Sequence, residues 1–227
     1  MNKSLVLKII IAIIGIVTII LLGTHKQEPK QTKKIPSTFD YSSITFKKYK
    51  SQSLQTENAI PSIISDKTIY LTFDDGPSYL TYQILDVLEE ENVPATFFVI
   101  GTHIYEYPDI IKRAYKKGHT IALHSDTHRY DQIYSDDEIY FDDLRTINNK
   151  VFDLIGHHSR IIRLPGGSSN TVSKKYNSGI ITRITNKLTE NDYYYFDWNV
   201  DSGDASGSLS KEQIYENVTT HLHSGAN

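Results

Sequence analysis

The chain has 227 residues, enough for one domain of ordinary size and an appendage. Its 24 basic and 27 acidic residues give a formal net charge of −3, without the concentrated basic surface that a nucleic-acid partner requires. The absence of cysteine excludes disulfides, thiolate metal sites, a cysteine nucleophile and a lipoprotein anchor. Any metal ion must therefore bind to histidine and carboxylate side chains.

The N-terminal segment is apolar from Leu5 to Leu22, apart from Lys8 and Thr18. As a helix it would be roughly 27 Å long, close to the thickness of about 30 Å of a hydrocarbon core. No small-residue cleavage site follows it, so residues 1–24 are predicted to be a cytoplasmic tip and an uncleaved transmembrane signal anchor. We expect a single-pass membrane protein with its main domain outside the cell; a cleaved signal peptide, giving a secreted form, is the alternative.

Residues 25–66 are rich in Lys, Gln, Ser and Thr, with scattered prolines, which predicts an extracellular linker or stalk. From residue 67 to residue 227, short apolar runs alternate with amphipathic segments. In chain order the predicted elements are strand 68–73, helix 79–91, strand 95–100, helix 109–117, strand 119–123, helix 135–155 capped by Ser135, strand 161–164, helix 172–188 interrupted at Gly179, strand 193–197 and helix 210–222. This alternation indicates a parallel α/β fold, with a barrel favoured over an open sheet.

Chemistry in such barrels lies where the strands end. The first strand is followed by Asp74 and Asp75 before a Gly-Pro turn, and the third by His124 and His128. Read separately, the two aspartates are as compatible with an ordinary acidic turn as with a functional pocket. The two histidines are likewise as compatible with exposed loop positions as with a metal site. Together, Asp75, His124 and His128 form an open three-ligand set suited to Zn²⁺, with Co²⁺, Fe²⁺ or Mn²⁺ as alternatives.

The last two strand ends carry weaker signals. Arg163 precedes Pro165, Gly166 and Gly167; it could hold a carboxylate through two hydrogen bonds, while the glycines expose backbone N–H groups. The alternative is a surface arginine before a flexible loop. The only tryptophan, Trp198, follows Asp197, which fits a wall for sugar stacking or a core tryptophan beside a loop acid.

The motifs TFDDGP, HSDTH, RLPGG and DW, in this order, resemble the NodB-homology polysaccharide deacetylases of carbohydrate esterase family 4. The resemblance covers residue 67 to the end. It implies a distorted (β/α) barrel with fewer than eight repeats that removes N-acetyl groups from N-acetylglucosamine in peptidoglycan or a related cell-wall polysaccharide. No protein partner is implied.

The same resemblance implies a role for each matching residue. Asp74 is the expected catalytic base, Arg163 the residue that positions it, and Asp197 part of the fourth motif. The expected metal ligands are Asp75, His124 and His128, and the expected substrate contacts are Pro165, Gly166 and Trp198. His103, His119, His157 and His158 match no motif and are predicted to be structural or on the surface.

One family motif, a late Leu-x-His that supplies a general acid, has no match, and neither His221 nor His223 is assigned to that role. The expectation is therefore a domain incomplete at its C-terminus. Alternatives are a truncated, non-catalytic relative that binds metal and glycan, a deacetylase of chitin-like or poly-N-acetylglucosamine polymers, and another metallohydrolase such as a phosphoesterase.

Overall fold

The computed structural model describes residues 68–223, 225 and 226. The predicted membrane anchor (1–24) and stalk (25–66) lie outside the described residues. Within the described part of the chain, no helix is both long and apolar enough to cross a membrane.

Five parallel strands form one sheet in the order of the chain. They are β1 (Thr72–Gly76), β2 (Thr96–Ile100), β3 (Thr120–Ser125), β4 (Ile161–Ile162) and β5 (Tyr194–Tyr195). Aromatic and β-branched residues, which favour extended backbone, fill the central strands; Phe73 lies opposite Phe97, and Phe97 opposite Ile121. Consecutive parallel pairing confirms the predicted α/β fold.

Seven α-helices connect and cover the described strands. They are α1 (Tyr79–Glu90), α2 (Gly101–Ile104), α3 (Pro108–Lys116), α4 (Tyr130–Ile133), α5 (Asp137–Ile155), α6 (Ile180–Glu190) and α7 (Lys211–Thr220). Short 3₁₀ helices span Val172–Lys175 and Asp204–Ser206. The core is built from aliphatic and aromatic side chains of the central strands and of the helix faces that cover them.

Three details differ from the sequence prediction. Asp136, not Ser135, caps α5, because its side chain accepts from the Glu138 N–H while the Ser135 hydroxyl donates to the Gln132 carbonyl. The interruption predicted at Gly179 is confirmed, but the part of the predicted helix before it is only a short 3₁₀ helix, Val172–Lys175. The last two strands are also shorter than predicted.

The sheet is curled. In a flat sheet, strands β1 and β4 would lie about 14 Å apart, because each strand adds about 4.8 Å. Yet Arg163, just after β4, donates from Nη1 to Thr72 Oγ1 in β1 over 2.9 Å. The curl brings the ends of β1, β4 and β5 around a common centre.

The start of β1 also meets the last described residues. The Tyr70 N–H donates to the Ala226 carbonyl (2.6 Å), and the Gly225 N–H donates to the Thr68 carbonyl (2.7 Å). The Ala226 side chain is buried. The backbone groups of Thr68 and Tyr70, just before β1, are therefore hydrogen-bonded to the last described residues of the chain.

Candidate metal centre and catalytic site

The three predicted metal ligands meet at one point. Asp75 Oδ1 lies 3.3 Å from His124 Nε2 and 3.4 Å from His128 Nε2, and one donor atom from each residue lies within 4.8 Å of the others. Among the described residues, this is the one group of three or more His or acidic side chains so arranged. Two imidazoles and a carboxylate with room for further ligands are typical of catalytic zinc sites.

The tautomer of His124 suits a ligand. Its ring is buried, and Nδ1 lies 2.7 Å from the Arg163 carbonyl oxygen, which can only accept, so Nδ1 carries a proton. Nε2 is left facing Asp75. The contact with His124 is the main cause that holds the pKa of Asp75 below its usual range, and the nearby imidazoles of His124 and His128 act in the same direction.

His128 and the backbone of the ligands also fit a metal site. Burial, followed by the nearby charge of His124, lowers the pKa of His128 and favours the neutral imidazole that metal binding requires. Asp75 and His128 have φ values of 65° and 56°, in the left-handed region that non-glycine residues avoid. Such conformations cost about 1–3 kcal/mol each and persist only where surrounding contacts enforce them.

Arg163 binds Asp74, the aspartate that is not part of the metal cluster. Its side chain is 2% exposed, and Nη1 donates to Asp74 Oδ1 over 2.8 Å. Arg163 does not bind one carboxylate through two hydrogen bonds, as the sequence suggested. Its Nε and Nη2 donate instead to the backbone carbonyls of Phe196 (3.0 Å) and Asp197 (3.2 Å). The guanidinium also lies 4.2 Å from the Phe98 ring centroid. Arg163 is therefore not a surface residue: it is buried and joins the ends of β1, β4 and β5 by hydrogen bonds.

Burial raises the pKa of Asp74 above its usual value, although the Arg163 guanidinium and His124 oppose the shift. Asp74 and Asp75 are adjacent in sequence and have pKa shifts of opposite direction. Opposed shifts in neighbouring acids are typical of groups with separate chemical tasks.

The loop after β4 is fastened to the loop after β5. Both carboxylate oxygens of Asp197 accept from Ser168, one from its N–H (2.8 Å) and one from its hydroxyl. Trp198 is 37% exposed, with its ring centroid 5.5 Å from the Arg163 guanidinium carbon. Its ring is therefore not a core side chain. A Cβ on Gly167 would lie 3.4 Å from this ring, so the small residue permits close packing.

Pro165 is buried and contacts Tyr134, whereas Gly166 is exposed and approaches Tyr130. The Pro165 carbonyl accepts from the Tyr134 hydroxyl over 2.7 Å. Gly166 is exposed, and no described residue accepts a hydrogen bond from its N–H. A Cβ there would lie 2.9 Å from the hydroxyl of Tyr130, whose ring packs edge-on against His128.

Comparison with known proteins agrees with this geometry. The sequence profile of the family described as Polysaccharide deacetylase matches residues 63–180, just over half of the chain. The chain belongs to the polysaccharide deacetylase family.

Two relatives of this family are bacterial peptidoglycan enzymes. The catalytic domain of a peptidoglycan N-acetylglucosamine deacetylase from Eubacterium rectale is 45% identical, with a TM-score of 0.68 over 74% of this chain and 80% of that one. A peptidoglycan-N-acetylglucosamine deacetylase from Bacillus cereus is 32% identical over 68% of this chain and 55% of its own length.

A third relative has a different substrate in its name. A chitooligosaccharide deacetylase from Rhizobium leguminosarum is 38% identical over 51% of this chain and 54% of its own length. The chain spans about half the length of the curated relatives it matches.

Several residues around this site were missed by sequence reasoning. Asp143 of α5 binds the loop that carries His128, and Ser168 binds Asp197. His103, predicted to be structural or on the surface, has Nδ1 3.3 Å from the Asp75 carbonyl oxygen. The available signal for Asp143 was a charge on the apolar face of a helix, beside Tyr140, Leu144 and Ile147.

The other histidines divide as predicted. His119 is buried, with Nδ1 accepting from the Ala95 N–H over 3.2 Å, and is structural. His157 and His158 are exposed.

Proposed function

We propose that this chain is a metal-dependent deacetylase that removes N-acetyl groups from N-acetylglucosamine residues of peptidoglycan or a related cell-wall polysaccharide. The observation that carries the proposal is the meeting, at one end of the sheet, of the Asp75–His124–His128 cluster and the Arg163-bound Asp74. A single divalent ion, Zn²⁺ first and Co²⁺, Fe²⁺ or Mn²⁺ as alternatives, would be held by the cluster and would supply Lewis acidity toward water and the acetamide carbonyl.

In this proposal Asp74 is the general base. It removes a proton from the water that adds to the acetamide carbon, and Arg163 keeps the carboxylate aimed at that water. The raised pKa of Asp74 makes it a stronger base than a solvent-exposed aspartate. The N–H of Gly166 donates to the carbonyl oxygen as negative charge develops there.

The second half of the reaction breaks the C–N bond, releasing acetate and an amine that needs one proton. Asp74, protonated in the first half, is the group we assign to return it. Asp197 supports the sugar-facing loop through Ser168, and the exposed Trp198 ring is the wall against which a sugar ring packs. Pro165, expected from the sequence to contact substrate, is buried and contributes through the position of its loop.

Peptidoglycan is favoured over chitin-like and poly-N-acetylglucosamine polymers because two relatives are named for it. Both match a larger part of this chain than the chitooligosaccharide deacetylase does. The chitooligosaccharide relative supports the second candidate. A non-catalytic role is less well supported, since metal and glycan binding alone would not require an aspartate of raised pKa next to the ligand Asp75. A phosphoesterase usually needs a second metal, and the described residues contain one cluster.

The test is acetate release by the 227-residue chain from purified peptidoglycan, chitin oligosaccharides and poly-N-acetylglucosamine. We expect the highest kcat/KM on peptidoglycan. A higher value on chitin oligosaccharides would move the assignment to the second candidate, and no release from any of the three would reject a deacetylase.

We also propose that residues 1–24 anchor the domain to the outer face of the membrane, with 25–66 as a stalk, and that the curled sheet is the wall of a distorted barrel. The apolar run from Leu5 to Leu22 supports the anchor. Fractionated cells should contain the full-length mass in membranes, with the domain open to external protease after wall removal. A soluble form lacking about 24 residues would support the cleaved signal peptide instead.

A further inference from the structure

The loop that carries both histidine ligands, residues 124–128, is fastened to α5 by one carboxylate. Asp143 Oδ2 accepts from the Ser125 hydroxyl and from the Asp126 N–H, each over 2.7 Å. Asp143 Oδ1 accepts from the N–H (3.0 Å) and hydroxyl (2.9 Å) of Thr127. Four hydrogen bonds from three consecutive loop residues therefore end on a single side chain.

Ser125 connects Asp143 to the predicted metal ligand His128 through hydrogen bonds. Its hydroxyl proton is directed at Asp143, so its oxygen lone pairs are free to accept, and the His128 N–H donates to them over 2.9 Å. His128 has the left-handed backbone conformation that surrounding contacts must enforce. The Asp143–Ser125–His128 chain supplies such a contact.

A second residue of α5 holds the same loop with the opposite charge. Lys150 Nζ lies 2.7 Å from Asp126 Oδ1 and 3.3 Å from the Gly101 carbonyl oxygen. The buried Asp126 Oδ1 accepts no hydrogen bond of regular geometry, and its charge is balanced by this ion pair with Lys150. Asp143 and Lys150 are seven residues apart, two helical turns, and so project from one face of α5.

We propose that Asp143 is a positioning residue of the metal centre, which sets the place of His128 through Ser125 and Thr127. The inference rests on the metal-dependent function proposed above. All four hydrogen bonds of Asp143 end on Ser125, Asp126 and Thr127 and none on a ligand side chain, so Asp143 positions the ligands through the loop. In Asp143→Asn, the side-chain NH₂ group replaces one of the two accepting oxygens. Depending on its orientation, it would face either the Ser125 hydroxyl and the Asp126 N–H or the N–H and hydroxyl of Thr127, and a donor cannot accept from them.

The experiment titrates Co²⁺ alone into the metal-free 227-residue chain and its variants, recording the visible absorption of the bound ion. Asp143→Asn should lower Co²⁺ affinity about 10- to 100-fold and change the spectrum, which reports ligand number and geometry. The matched control is Asp142→Asn, because Asp142 is the exposed neighbour that pairs with Arg145. It should bind Co²⁺ like the unsubstituted chain.

Ser125→Ala provides an independent variant if Asp143→Asn does not fold, and it should also lower Co²⁺ affinity. Unchanged affinity and spectrum in the folded variant would overturn the inference, even if its melting temperature fell, because Asp143 would then support the fold alone. Failure of the unsubstituted chain to bind Co²⁺ would overturn the metal-dependent function and the inference with it.

Discussion

Asp74 and Asp75 are chemically identical neighbours in different surroundings. The Asp74 side chain is 28% exposed and bound to Arg163, whereas the Asp75 side chain is 61% exposed and faces two imidazoles. Burial raises the pKa of the first, and the hydrogen bond from His124 lowers the pKa of the second. These differences support a base role for Asp74 and a ligand role for Asp75.

Substitution should separate the two roles. Asp74→Asn should lower acetate release about 10²- to 10⁴-fold, the usual contribution of a general base, while metal stays bound. Asp75→Asn should weaken metal binding itself, because a neutral amide is a poorer ligand than a carboxylate. Metal content after chelator competition and acetate release, measured on the same preparations, distinguish them. Equal loss of metal in both variants would show that the assignments are wrong.

His119 is a buried group with no place in the proposed chemistry. Burial is the main cause that lowers its pKa, with the charge of Arg113 adding to it and Glu89 opposing it. Its Nδ1 accepts from Ala95, so the neutral ring is part of the packed structure. Because the folded pKa lies below the unfolded value of about 6.5, its contribution is fully present above that pH and is lost as pH falls toward the folded pKa.

His119→Asn should remove this pH dependence. Asn Oδ1 can replace Nδ1 as the acceptor for Ala95 but does not titrate between pH 8 and pH 5. Urea unfolding at both pH values, in parent and variant, isolates His119 because all other titrating groups are shared. The parent should lose more stability than the variant as pH falls, and an equal loss would contradict a buried neutral imidazole.

At the scale of elements, the start of α2 limits where the histidine loop can lie. The Thr102 N–H donates to the Asp126 carbonyl over 2.9 Å, and a Cβ on Gly101 would lie 1.8 Å from Asp126 Oδ1. The same Cβ would also lie 3.0 Å from the Asp126 Cα, so the flexible end of a side chain cannot simply move away. The absence of a side chain at Gly101 is what lets the loop approach.

Gly101→Ala should therefore displace the loop, costing about 1–3 kcal/mol of stability as overpacking does, and reduce Co²⁺ affinity. Gly118→Ala is the matched control, because open space surrounds the added methyl and only the φ of 85° opposes it. The control should lose about 1–2 kcal/mol with unchanged Co²⁺ affinity. If both variants bind Co²⁺ alike, the close approach of Gly101 does not position the site.

Element boundaries show what sequence reasoning captures. The end of α5 was predicted because Gly156 takes the left-handed conformation that ends a helix, and α1 and α3 follow their apolar periodicity. The start of α5 was misplaced by one residue because Ser135 and Asp136 are both good caps, and the Ser135 hydroxyl donates instead to the nearby Gln132 carbonyl at the end of α4.

At the scale of the whole molecule, motif spacing was enough to predict the ligand cluster. Parallel strands bring their ends to one edge, so Asp75, His124 and His128 had to converge once the strands were recognised. The positions of Asp143 and Lys150 could not be predicted in this way. Their contacts depend on how α5 is rotated against the loop, and the bonding pattern of Arg163 depends on the curl of the sheet.

The central claim is that the cluster makes this chain a metal-dependent deacetylase. The most direct measurement is acetate release from peptidoglycan by the 227-residue chain, before metal removal, after removal by a chelator and after addition of one equivalent of Zn²⁺. We predict release that disappears with the metal and returns with Zn²⁺, and no return for a His128→Ala variant. Undiminished release by the metal-free chain, or full recovery by His128→Ala, would contradict the account.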